Sequence, residues 1–559
     1  MSMKRLFHPI HMAILAGALL ATGCATGNNG PAADDMSAAR ARFYEGYAGY
    51  HREIRTTSPE AQKWFDQGLQ LLYGFNHDEA IRTFRKAAEV DPNCAMAWWG
   101  IGYAYGLHIN NPVMTEEQSR LAYESTQEAV QRRHFAWPVE QALIDALANR
   151  YEWPAPESRR ALDEAYAAAM EQAWKTNPND ADVGALFAES LMNLQPWDLW
   201  THTGQPKGRT LDIVAAIERV LEINPNHPGA THFYIHAVEA SPDPDRATGA
   251  ADRLANLVPG SGHLVHMPSH IYVRTGRYAE SADANERAIA ADESYFQLAP
   301  TPRFYVLYYT HNIHFLAYSA MMEGRYETAI NAARRIEKKV PKEFVRDYVT
   351  IADGLMPTAF HVMIRFGKWE DILKEPEAAE FQLLSRAIRR FARSVALSAL
   401  GRTAQAEREI KAFDEIAAKI TGEWFIGQNP ASVILPLARK MMLGEMLFRE
   451  GQRERAFAIL REAVAMEDEL IYDEPPGWMQ PVRHALGALL MADGRYSEAE
   501  EVYRADLVKH RNNGWSLLGL EKSLAAQGKD RAAAETATKL AAAWTRPDVQ
   551  PTSSCYCQP

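Results

Sequence analysis

Apolar residues recur along most of this chain at the three- and four-residue spacing that places side chains on one face of an α-helix. One combination of large and small residues spans a predicted helix pair: Trp64, Gly68, Leu71, Ala80, Phe84, Ala87 and Pro92. After 34 positions, Trp98, Gly102 and Tyr105 repeat the first three of them. Small residues let two helices approach closely while large ones fill the space between them. The pattern therefore predicts a series of antiparallel helix pairs.

Turn signals extend this series toward the C terminus. A glycine followed by a basic and an aromatic residue marks the turn within a pair at Gly276, Gly324, Gly367 and Gly494. We expect about 11–12 helix pairs, some of them irregular. Residues 108–137 are expected to interrupt the second pair. Residues 194–210 form another insertion, either a lid over a groove or a plain surface loop.

The repeated positions resemble the tetratricopeptide repeat (TPR) along nearly all of the mature chain. Two segments, GFNHDEAIRTF from Gly74 and HMPSHIYVRTGRY from His266, are similar to those of long bacterial TPR lipoproteins. The resemblance implies an all-α fold, a TPR-type helix-turn-helix solenoid that winds as a right-handed superhelix. It also implies that four positions on the first helix of each pair line a concave groove. It implies no particular reaction.

The chain divides into six expected segments. We expect a lipoprotein-type signal peptide at residues 1–23, a lipidated cysteine with a flexible tether at 24–40, and a disordered tail at 548–559. Between them we expect N-terminal repeats with an insertion at 41–175, central histidine-rich repeats at 176–380, and C-terminal repeats at 381–547.

The N terminus has a basic start and a short apolar run that ends in LATGC, at Cys24. The run is too short to cross a bilayer and is typical of a cleaved signal. The motif resembles the bacterial lipobox, which implies acylation of Cys24 and sorting to the outer membrane; an ordinary signal peptide is the alternative. We therefore expect a cell-envelope lipoprotein, periplasmic or surface-facing, with a protein partner there. The formal net charge of −11 disfavours a nucleic-acid partner.

Seven of the eighteen histidines fall between His232 and His314. Counted from the turns at Gly276 and Gly324 and from Pro259, these histidines and Glu239 fall at positions of three consecutive first helices that the TPR resemblance implies to be groove positions. Imidazole is a ligand for zinc, iron and copper, and we predict that these residues hold such a transition metal. The predicted ligands are His232, His236, Glu239, His263, His266, His270, His311 and His314. Pro268 either kinks its helix so that His266 and His270 turn toward one point, or marks a later helix start with His263 and His266 in the preceding loop.

Other polar and aromatic residues are predicted to line the same groove: Trp99, Tyr103, Glu189, Tyr318 and His361. Two interpretations of the groove stay open. It binds either a segment of an envelope protein or a transition metal. A metal-dependent enzyme is the alternative, with Glu239 or Glu189 as general base. We find no nucleotide-binding loop and no hydrolase motif.

Overall fold

The computed structural model describes residues 36–299 and 304–555, so Cys24 and the segment before it lie outside the described residues. The chain forms two compact units. The first runs to Ile271 and adds Arg287–Tyr309; the second comprises Tyr272–Glu286 and the chain from Thr310 onward. Among the described residues, no helix combines the length and the apolar character that crossing a bilayer requires.

The helices up to Leu298 are, in order, α1 (Pro59–Tyr73), α2 (His77–Val90), α3 (Ala95–Ala104), α4 (Glu116–Gln131), α5 (Pro138–Ala148), α6 (Arg160–Thr176), α7 (Ala181–Met192), α8 (Thr210–Ile223), α9 (Pro228–Val238), α10 (Thr248–Leu257), α11 (Gly262–His266), α12 (Pro268–Thr275) and α13 (Tyr278–Leu298). In the first unit, α1 packs on α2, α3 on α4, α5 on α6, α7 on α8, and α9 on α10. Each is an antiparallel hairpin, as the repeat pattern predicts.

The later elements are α14 (Val306–Glu323), α15 (Tyr326–Lys339), α16 (Lys342–Asp347), α17 (Val349–Ala352), α18 (Thr358–Arg365), α19 (Trp369–Lys374), α20 (Leu383–Ala399), α21 (Thr403–Ala417), the two-residue strands β1 (Phe425–Ile426) and β2 (Asn429–Pro430), α22 (Ala431–Arg449), α23 (Arg453–Asp468), α24 (Val482–Ala492), α25 (Tyr496–Lys509), α26 (Gly514–Ala526) and α27 (Asp530–Ala543). In the second unit, α20 packs on α21, α22 on α23, α24 on α25, and α26 on α27. The expected all-α, TPR-type architecture is confirmed.

The alternation of small and large residues works as the sequence predicts. A Cβ at Gly68 on α1 would lie 2.6 Å from the Phe84 ring of α2, and a Cβ at Gly100 on α3 would lie 2.7 Å from the same ring. Phe84 is fully buried between these helices. The two glycines therefore set how closely three successive helices approach.

The predicted turn glycines are also in place. Gly276, Gly324, Gly367 and Gly494 all have positive φ angles, of 79°, 78°, 63° and 75°. A side chain is disfavoured in this left-handed region, which explains why the helix ends require glycine there.

Two expectations were wrong. Residues 116–131 do not interrupt the second pair but form its second helix, α4, which begins with a capping box between Thr115 and Gln118. The part of the tail up to Cys555 is also packed rather than disordered. Asp548 accepts hydrogen bonds from the backbone N–H groups of Tyr326 and Glu327, and Ser554 is buried and donates to the His484 carbonyl.

Candidate metal centre

Three short helices position six of the predicted ligands, all of which lie in the first unit. Helix α9 begins at Pro228 and is capped by the ring of His227, which accepts a hydrogen bond from the Ala230 N–H. It carries His232 and His236 one turn apart, and Glu239 follows at its C-terminal cap. Because residues four apart lie on one face of a helix, the two histidines point the same way.

Pro268 divides the next histidine-bearing segment. Helix α11 starts after Ser261, whose hydroxyl accepts from the Leu264 N–H, and ends at His266. Met267 keeps helical φ and ψ angles, and α12 then starts at Pro268. The proline therefore breaks the helix without placing the preceding histidines in a loop, which is the first of the two expected alternatives.

His232, His236 and His263 form a compact triad. Their ring nitrogens lie within 4.8 Å of one another, and Nε2 of His232 is 3.1 Å from Nε2 of His263. Nitrogens around a tetrahedral ion stand about 3.3 Å apart when each bond is about 2.0–2.1 Å long. The closest two nitrogens of the triad, 3.1 Å apart, are thus within a few tenths of an ångström of the separation around a tetrahedral ion.

In His232 and His236, the ring nitrogen that points away from the triad is held by a hydrogen bond. Nδ1 of His232 lies 2.7 Å from the Tyr73 carbonyl, so it is the donor and carries the proton. Nδ1 of His236 lies 2.9 Å from Oε1 of Glu239 and donates in the same way. In both rings Nε2 is then an acceptor, and in His236 it has no hydrogen-bond partner among the described residues. Metal-ligating histidines are held in this manner.

His266 and His270 form a second pair in the same unit. Their Nε2 atoms are 2.9 Å apart. Nδ1 of His270 lies 2.6 Å from Oε2 of Glu239, the oxygen that His236 does not use. Glu239 therefore joins the triad to the pair through its two oxygens.

All of these side chains are buried, with His232 and His266 showing no exposed surface. Burial, followed by the neighbouring His236, holds the pKa of His232 well below 6.5, and burial also lowers the pKa of His236. Burial alone would raise the pKa of Glu239, but the His270 and His236 rings lower it below its ordinary value. At neutral pH the His232 and His236 rings are therefore neutral and the Glu239 carboxylate is charged, which is the state that binds a cation.

Four residues that sequence reasoning did not assign to the site also surround it. The Phe75 ring lies 4.6 Å from that of His232 and stacks on His108 at 4.2 Å, and Tyr308 lies 4.4 Å from His263. Trp197 meets His236 edge-on at 5.0 Å. Only Trp197 had a signal in the sequence, because it belongs to the 194–210 insertion.

The 194–210 insertion packs against the site and is held there by a hydrogen bond. Trp200 donates from its indole to the Ala237 carbonyl at 2.7 Å, and Trp197 has a φ of 62°, which is uncommon for a non-glycine residue. Of the two expected alternatives, the structure favours a cover over a plain surface loop.

The predicted groove residues of the first unit lie together but are buried. Trp99 and Tyr103 are in ring contact at 5.2 Å, and the Tyr103 hydroxyl donates to Glu189 at 2.6 Å. Asn193 donates to the other Glu189 oxygen, and the buried Arg150 guanidinium lies 5.1 Å from the Tyr103 ring. These residues offer no exposed surface to a peptide.

The remaining predicted residues, His311, His314, Tyr318 and His361, belong to the second unit. There the three histidines line a cavity of about 70 Å³ together with Asp473 and Glu474. Burial lowers the pKa of His314 to about 4, and burial with the neighbouring His314 lowers that of His361 to about 3. Tyr318 lies in the hydrophobic core.

Comparison with known proteins gives a fold-level likeness only. No family model and no curated protein matches the chain. Among solved structures, it is similar to human IFIT1 in a dimer with m7Gppp-AAAA, with a TM-score of 0.34, 11% identity, and coverage of 91% of this chain and 98% of that one. It is also similar to yeast Tom70, with a TM-score of 0.28, 12% identity and coverage of 86% and 99%. At these scores no argument about a ligand rests on either protein.

Proposed function

We propose that this chain is a helical-repeat metalloprotein whose first unit holds a transition metal at His232, His236 and His263. The observation that carries the proposal is the triad itself: three buried imidazole nitrogens within 4.8 Å, with the outer nitrogens of His232 and His236 fixed as donors. Zinc, copper and iron all accept such a ligand set. The lipobox-like sequence at Cys24 supports an envelope location, where we expect the protein to be anchored.

Binding of a protein segment is the weaker hypothesis for the same residues. A peptide needs exposed side chains and unpaired backbone groups to contact. The five histidines and the Trp99, Tyr103 and Glu189 cluster are buried instead. A small ion can occupy an enclosed site of this kind without opening the helices.

Metal content of the full-length chain tests the proposal. The wild type, grown with zinc, copper and iron, should retain at least about one ion per chain by elemental analysis. The H232Q/H236Q variant should retain about one ion per chain fewer than the wild type. H227N is the matched control, because asparagine preserves the cap of α9 while removing a nearby imidazole. A metal-free wild type would overturn the proposal, and so would equal loading of all three proteins.

A metal-dependent enzyme is a second candidate, and one observation favours it. Three protein ligands leave a fourth position that can hold and activate water. His108 lies near the triad, since its ring and that of His232 both contact the Phe75 ring, at 4.2 Å and 4.6 Å. Glu239 is less suited to act as the base, since both of its oxygens contact histidine rings. If hydrolysis of an activated ester appears with zinc, H108Q should lower kcat without changing metal content.

A further inference from the structure

The histidine cluster of the first unit contains two separate pairs of facing imidazoles. His232 and His263 face each other at 3.1 Å between Nε2 atoms, and His266 and His270 do so at 2.9 Å. The two groups are distinct, because one nitrogen each of His232, His236 and His263 lie within 4.8 Å of one another and neither His266 nor His270 belongs to that set. Nitrogens bound to one ion by bonds of about 2.0–2.1 Å lie no more than about 4.2 Å apart, so an ion held by the whole triad does not also bind His266 or His270.

Glu239 stands behind the second pair as well as the first, through a hydrogen bond from His236 and a close contact with His270. Its two oxygens contact Nδ1 of His236 and Nδ1 of His270, at 2.9 Å and 2.6 Å. A carboxylate on the outer nitrogen fixes the ring and raises the basicity of the inner nitrogen. In His270 the inner nitrogen is the one that faces His266. A purely structural pair, sharing one N–H···N bond, would not need a charged carboxylate behind it.

We infer that the cluster binds two transition-metal ions, the second held by Nε2 of His266 and Nε2 of His270. This inference rests on the proposed function. Two histidines four positions apart are a common bidentate arrangement on a helix, and here they flank Pro268. The 2.9 Å separation has to widen by about 0.4 Å to match tetrahedral bonds. Water or a substrate completes the coordination of this ion.

The chemistry of the cluster narrows the class of ion. Five imidazoles favour zinc and copper over magnesium and calcium, which prefer oxygen ligands. Glu239 is a carboxylate that contacts two of these rings. Since buried charge is costly, a monovalent Cu(I) ion at the second position leaves less uncompensated charge than a second Zn²⁺. The two metals are therefore tested separately.

The test is a count of bound ions in the full-length chain. Metal-free protein is titrated with Zn²⁺ and, under reducing conditions, with Cu(I); tight binding is measured by calorimetry and elemental analysis after gel filtration. For at least one metal we expect about two ions in the wild type and in H227N, and about one in H266Q/H270Q. H232Q/H236Q should also retain about one ion, at the second position.

Each outcome has a separate meaning. One ion in the wild type, kept by H266Q/H270Q, overturns the second site and leaves the proposed function standing. No ion in the wild type overturns both. Loss of every ion from H266Q/H270Q overturns the assignment of this pair as a separate site. If that double variant does not fold, as judged by circular dichroism, the single variant H266Q takes its place, with loss of one ion again expected.

Discussion

Glu239 shows how a single buried residue orients a whole set of rings. Its carboxylate sits just beyond the end of α9, within reach of His236 three positions earlier and of His270 on α12. One carboxylate oxygen accepts a hydrogen bond from Nδ1 of His236, and the other lies against Nδ1 of His270. In the proposed arrangement this residue fixes which nitrogen of the His236 ring is available to a metal.

Replacing Glu239 by glutamine should weaken metal binding without abolishing it. The amide keeps one acceptor oxygen, but it loses the charge and offers an N–H₂ group to one of the two histidines. Loss of such support typically costs 10- to 100-fold in affinity. Competition with a chromophoric chelator would measure the change.

Glu140 provides the control for this measurement. It is a buried carboxyl that accepts from the backbone N–H groups of Trp137 and Arg55, so E140Q should affect stability and leave metal affinity unchanged. Wild-type affinity in E239Q would show that the carboxylate does not support the ligands.

At the scale of elements, the helix pairs were predictable and the irregular segments were not. The close contact between Gly68 and Phe84 was predictable because small residues pack against large ones in helix pairs. The turn at Gly276 was predictable because its positive φ angle favours glycine. Helix α4 was missed because its polar sequence lacks the apolar stripe expected of a repeat helix. The convergence of His263 with His232 depends on how α11 packs beside α9, which spacing along one helix does not specify.

Gly68 offers a direct test of the packing rule. In G68A the new methyl group would press on the Phe84 ring at 2.6 Å, and both α1 and α2 are too well packed to yield easily. We expect a loss of about 1–3 kcal/mol in the free energy of unfolding. In G249A the nearest atom is a flexible arginine end at 3.4 Å, so the change should stay within about 0.5 kcal/mol. Equal effects of the two substitutions would argue against close packing at Gly68.

The insertion that carries Trp197 is the element expected to control access to the triad. Asparagine tolerates the left-handed backbone of this position, so W197N removes the ring over His236 without adding strain. Losing an aromatic contact worth about 1 kcal/mol should speed metal release roughly fivefold. The release rate into excess chelator would be followed, with W197F as the variant that keeps a ring. Unchanged release from W197N would mean that the insertion does not limit exchange.

At the scale of the whole molecule, half-buried or buried histidines with lowered pKa values occur in both units. Burial lowers the pKa of His77 in the first unit to about 4 and that of His484 in the second unit to about 4. Each is charged in the unfolded chain below its ordinary pKa of 6.5. The unfolded state therefore binds more protons than the folded state between about pH 4 and 6.5. Buried carboxyls such as Glu445 and Glu467, whose pKa values burial raises, act in the opposite sense.

His77 allows one of these contributions to be isolated. Because its folded pKa lies below its unfolded pKa, the stability linked to it is present above pH 6.5 and is lost as the pH falls toward 4. Between about pH 7.5 and pH 5 the loss amounts to about 2 kcal/mol. In metal-free protein, H77Q is expected to be less stable than the wild type at the higher pH, since it disturbs the contacts of the ring with the Ala104 and Gly106 carbonyls. That deficit should shrink by about 2 kcal/mol at the lower pH, because glutamine does not titrate. Denaturant unfolding at the two pH values measures both differences in the free energy of unfolding.

The control is H51Q, which replaces an exposed histidine and is measured in the same way. A deficit that stays constant with pH would show that His77 titrates alike in the folded and unfolded chains.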